Sequence, residues 1–148
     1  LWQPGGFVQL ASDFLVHFFV SPYCGALIVA LLLTLIGLIT SSVLKRLAPN
    51  VHLYAISLLP AVSLLILQFN VNYHLSGTLA FLLLTVGLNV YLRVQPLLAR
   101  VLFASCSSLI IFLLAGPIAS LFAIIVLLIE LFLHFRSSYI FLLPVAIV

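Results

Sequence analysis

The stretch YCGALIVALLLTLIGLITSSVL, running from Tyr23 to Leu44, decides the fold. It holds no charged side chain and is closed by Lys45-Arg46. At a rise of about 1.5 Å per residue, a helix of this length crosses a hydrocarbon core of roughly 30 Å. A barrel strand is excluded, because polar and apolar residues do not alternate. Thr34, Gly37 and Ser41 share one face, and Gly37-xxx-Ser41 is a small-xxx-small pair. Faces of that kind let helices approach closely in lipid, where packing rather than water expulsion drives association.

Further spans follow on the same pattern. Ala48-Pro49-Asn50 is a turn, and 51–69 is a second apolar run with Pro60 near its middle. Proline there predicts a kink, with Ser57 placed to satisfy freed carbonyls. After Asn70-Val71-Asn72, a third span covers 73–92, with Thr78, Thr85 and Asn89 on one face. Arg93-Val94-Gln95-Pro96 ends it. A fourth span runs over 97–115, with a polar patch at Ser105-Cys106-Ser107-Ser108. Gly116-Pro117 is a break with a mechanism, glycine after one helix and proline at the start of the next. The fifth span is 117–135, and 139–148 reads as the start of a truncated sixth.

Composition says the same. Of 148 residues, 66% are apolar and 5% charged, with a mean hydropathy of +1.49. A soluble domain is roughly 45–50% apolar and about 25% charged, so this chain cannot cover itself with polar groups. Disorder is excluded by the same numbers. The expected class is therefore an all-α, multi-pass transmembrane bundle of five spans plus part of a sixth. It reads as an excerpt from a longer membrane protein, opening without a signal peptide.

Residues 1–22 form a separate piece. Trp2-Gln3-Pro4-Gly5-Gly6 is turn material, and Phe7 to Val20 is helical in pattern. Gln9, Asp13 and His17 recur every fourth residue against a circumference of Phe and Leu. That is the pattern of an interfacial amphipathic helix. The rest, 23–148, is the transmembrane domain.

Lys45, Arg46, Arg93, Arg100 and Arg136 all fall in alternate turns, on one side of the expected bundle. The positive-inside rule makes that side cytoplasmic and the N-terminal piece external. The bilayer is the expected partner, with other membrane subunits or the rest of the same chain beside it. Nucleic acid is not, since no basic run exceeds two residues. Cys24 and Cys106 form no CxxC pair and differ in depth by roughly 15 Å, too far for a disulfide. No nucleotide, cofactor or metal motif is present.

Two constellations carry potential chemistry. Glu130 sits inside an apolar run, where an unpaired carboxylate costs roughly 2.5–3.5 kcal/mol, and His134 lies one turn further on the same face. They read either as a proton or cation relay, or as a helix-locking pair in which Glu130 meets His134, Arg136 or Arg100. Asp13 and His17, with His74 on the same side of the membrane, read either as a weak acid–base or metal-binding set, or as a solvated polar stripe. The Thr78/Thr85/Asn89 face and the serine patch read as interhelical hydrogen-bonding glue or as a polar path.

Gln3-Pro4-Gly5-Gly6-Phe7, continuing through Asp13-Phe14-Leu15-Val16-His17-Phe18-Phe19 to Gly25-Ala26-Leu27, resembles an uncharacterised domain-of-unknown-function family of multi-pass inner-membrane proteins from Bacteroidota. Asn72-Tyr73 followed by Gly77, and Ala115-Gly116-Pro117, are similar to the same family. The resemblance implies a bacterial inner membrane and no assigned activity. The family pattern has Glu and Gln where this chain has Asp13 and His17, which argues against a catalytic role for those side chains.

Three functions are consistent with this reading: a structural or assembly module, the membrane region of a lipid-linked sugar transferase of the C-type architecture, and a transporter. A transferase places Asp13 in an outward-opening groove. A transporter places Glu130 on a cavity that reaches the midplane. A structural module has Asp13 in water and Glu130 paired.

Overall fold

A computed structural model describes residues 4–47, 54–70 and 73–133. Among them the chain is all-α: α1 (Gly6–Val16), a 3₁₀ turn (His17–Val20), α2 (Pro22–Leu47), α3 (Tyr54–Gln68), α4 (Leu75–Tyr91), α5 (Leu97–Ala115) and α6 (Ile118–Leu133). The expected partial helix at 139–148 lies outside these residues, as do His134, Arg136 and His52.

Each boundary has a local cause. The 3₁₀ turn ends at Ser21, which is extended (φ −98°, ψ 120°), and Pro22 then opens α2, where its missing N–H costs nothing. Pro60 sits inside α3, and the helix continues through it. Pro96 is extended (φ −71°, ψ 135°) before α5. Gly116 ends α5 at φ +70°, a region that side chains rarely adopt, and its N–H bonds back to Phe112 O at 2.9 Å. Pro117 then leads into α6.

Two helices are long and apolar enough to cross a membrane, Pro22–Leu47 and Leu98–Ala115. The others are apolar but shorter: α3, α4 and α6 have 15, 17 and 16 residues. At 1.5 Å per residue these reach about 22–26 Å, less than the roughly 30 Å core.

α4 is the hub. It packs against α1, α2, α5 and α6, while α3 lies on α2. Leu84, Leu88 and Tyr91 on α4 share one face and meet Ala104 and Ile111 of α5, Ala119, Phe122 and Val126 of α6, and Val43 of α2. Leu47 and Leu92 pack at the margin of this cluster. The ends of α2 and α4 therefore lie together, which brings Lys45, Arg46 and Arg93 to one end of the bundle. Arg100 joins them, because its guanidinium reaches the Val94 carbonyl in the turn after α4. The opposite end is marked by the Gly5 N–H, which donates to Leu113 O at 3.3 Å and ties the N-terminal turn to the end of α5.

Large apolar side chains stay exposed around the perimeter. Leu27, Leu31 and Leu38 project from α2, Leu58, Leu59 and Ile66 from α3, and Leu102, Ile110 and Leu113 from α5. On α1 the buried residues are Val8 and Ser12. Phe7, Leu10 and Phe14 form an exposed apolar face, and Gln9, Asp13 and His17 an exposed polar one.

Candidate functional site

The turn from Leu92 to Pro96 folds the start of α5 back over the end of α4. Arg100, in the first turn of α5, donates from Nε to the Val94 carbonyl at 2.7 Å. Its Cζ lies 5.7 Å from the centroid of the Tyr91 ring, within cation–π range. Its Nη1 reaches Glu130 Oε1 on α6 at 3.0 Å. The Tyr91 hydroxyl donates to the same oxygen at 2.6 Å. One carboxylate oxygen thus joins α4, α5 and α6.

Burial makes this cluster energetically serious. Glu130 is 0% exposed and the Arg100 side chain 16%. Removing a carboxylate from water costs several kcal/mol, which close pairing and hydrogen bonds offset. Glu130 Oε2 is buried and has no hydrogen-bond partner among the described residues; Asn89 Oδ1 is the other such atom.

Other polar groups of the bundle make one interhelical bond and several local ones. The Gln68 amide donates to Thr78 Oγ1 at 3.2 Å, and the Tyr73 hydroxyl lies 3.3 Å from the same atom, joining the end of α3 to the start of α4. Thr85 donates to Leu82 O, Ser105 to Val101 O and Ser108 to Ser105 O. These hydroxyls are satisfied by their own helices.

On α1, Asp13 and His17 are both exposed. The His17 ring turns to the Asp13 backbone: Nδ1 lies 2.8 Å from its carbonyl oxygen. A carbonyl only accepts, so Nδ1 carries the proton in that bond. His74 is the exposed N-cap of α4. Among the described residues no three His, Cys, Asp or Glu side chains are placed to hold a metal ion. Cys24 and Cys106 are free, exposed thiols. Lys45, Arg46 and Arg93 are exposed at the end of the bundle where Arg100 turns inward.

At the other end, two backbones cross at glycines. Gly5 and Gly116 both have positive φ, +89° and +70°. A Cβ on Gly116 would stand 3.1 Å from Pro4 O, and one on Gly5 would stand 3.3 Å from the Ala115 carbonyl carbon. Beside the crossing lies a half-open pocket of about 270 Å³, whose lining includes Gly5, Gln9, Ser76, Gly77 and Pro117. Gly77 is itself covered by Tyr73, whose hydroxyl would lie 2.8 Å from an added Cβ. The Pro4-Gly5, Tyr73–Gly77 and Ala115-Gly116-Pro117 stretches therefore converge on one place.

Sequence reasoning singled out Glu130 and named Arg100 among its possible partners. It missed Tyr91 and the Val94 carbonyl. Tyr91 had one available signal, a hydroxyl at the end of a span in the turn that carries Arg93 and Arg100.

The chain belongs to a family of unknown function (DUF6057), whose model matches residues 1–148. No curated protein and no solved structure matches it.

Proposed function

We propose that this chain is the membrane-embedded helical region of a multi-pass bacterial inner-membrane protein, acting as a structural or assembly module. In this reading α2 to α6 are five spans and α1 lies in the outer interface. The turns bearing Lys45, Arg46, Arg93 and Arg100 face the cytoplasm. The observation that carries the reading is the Tyr91–Arg100–Glu130 cluster. The one acid inside the bundle is fully buried, and its charge is engaged in holding three helices together. The exposed apolar perimeter supports the same conclusion, because a continuous apolar surface of this extent needs lipid around it.

The other two readings find less in the geometry. A transporter needs Glu130 on a cavity, yet Glu130 lines neither the outer pocket nor the groove between α2 and α3. A sugar transferase needs Asp13 in an outward groove, yet the outer pocket is lined by Gln9, one turn earlier. The test is a set of reporter fusions after residues 47, 70, 95 and 116, combined with carbonate extraction of membranes. The reading expects retention in the membrane, cytoplasmic reporters at 47 and 95, and external reporters at 70 and 116. Release by carbonate, or an external reporter at 47, overturns it.

A further inference from the structure

We draw no further inference here: the strongest candidate, the half-open pocket beside the Gly5–Gly116 crossing where α1, α4 and α6 begin, rests on helix N-termini with only the Gln9 and Ser76 side chains beside them, and nothing in the structure shows what it would hold.

Discussion

Arg100→Met should damage the protein more than Glu130→Leu, and combining the two should recover much of the loss. The asymmetry follows from burial. Without Arg100, a carboxylate that is 0% exposed keeps, among the described residues, only the Tyr91 hydroxyl as partner. Stranding a buried charge in this way costs roughly 3–5 kcal/mol, and the lost bond to Val94 O adds about 1 kcal/mol. Without Glu130, the guanidinium keeps the Val94 carbonyl and the Tyr91 ring, and its side chain is 16% exposed at the end of the bundle. The cost there is about 1–3 kcal/mol. The double variant leaves no buried charge and fills the site with apolar side chains of similar reach, so it should lie within about 2 kcal/mol of the parent. The coupling in the cycle is then at least about 3 kcal/mol, more than about a hundredfold in an unfolding constant. Reversible SDS unfolding in mixed micelles, on the purified protein, measures it. If Arg100→Met is no worse than Glu130→Leu, or if the double variant equals the sum of the singles, the cluster does not lock the helices as argued.

Three further outcomes are expected. Gly116→Ala should cost about 1–2 kcal/mol for the positive φ alone, with an added penalty because its Cβ would press on Pro4 O at 3.1 Å; Gly37→Ala, which meets only Leu58 Cδ2 at 3.7 Å, should be neutral or slightly stabilising, and the two midpoints in the same SDS titration decide. On the proposed topology a membrane-impermeant maleimide added to intact spheroplasts should label Cys24, which that topology puts at the outer end of α2, but not Cys106, which it puts within the bilayer halfway along α5; the reverse pattern would contradict the orientation. A nitroxide at Phe14→Cys should report a depth about 5–10 Å below the headgroups and one at Asp13→Cys should be open to aqueous relaxants, whereas equal aqueous access at both would show that α1 does not lie in the interface.

The positions of the helices were legible because uncharged apolar runs of this length admit few alternatives, and because Gly116-Pro117 and Pro96 punctuate the chain by known backbone restrictions. Glu130 was legible as an anomaly of composition. Arg100 was among the partners the sequence offered for it and is the one found, whereas Tyr91 was not, since spacing along one helix says nothing of a hydroxyl that reaches across from α4. Asp13 and His17, four residues apart on a helix, read either as an acid–base pair or as a solvated polar stripe, and both are exposed. α1 gives way to a 3₁₀ turn at His17, and the ring takes up a carbonyl near the end of the helix, one of the groups that helix termini leave without an internal partner. The expectation of five spans plus part of a sixth also did not foresee how short α3, α4 and α6 are among the described residues, where two helices are long and apolar enough to cross.

The two ends of the bundle solve one problem by different means. Between them lies a middle of Leu, Ile, Val and Phe; in the proposed bilayer, where lipid tails are as apolar as leucine, hydrophobicity alone gives these helices no reason to prefer one another to lipid. Register must come from groups that lipid cannot replace. At the basic end that group is a carboxylate oxygen shared by Tyr91 and Arg100, which no acyl chain can satisfy. At the other end it is a backbone crossing at Gly5 and Gly116, close enough that a methyl group on either would press on the partner strand. α4 is held at both ends, through Tyr91 on Glu130 at its last turn and through Thr78, which meets Gln68 and Tyr73, at its first. It cannot slide by a turn without breaking the Tyr91–Glu130 hydrogen bond at one end and the Gln68–Thr78 hydrogen bond at the other. α3 packs chiefly on α2 and is tied to α4 by the Gln68–Thr78 hydrogen bond, and it is along α2–α3 that the structure leaves an open groove.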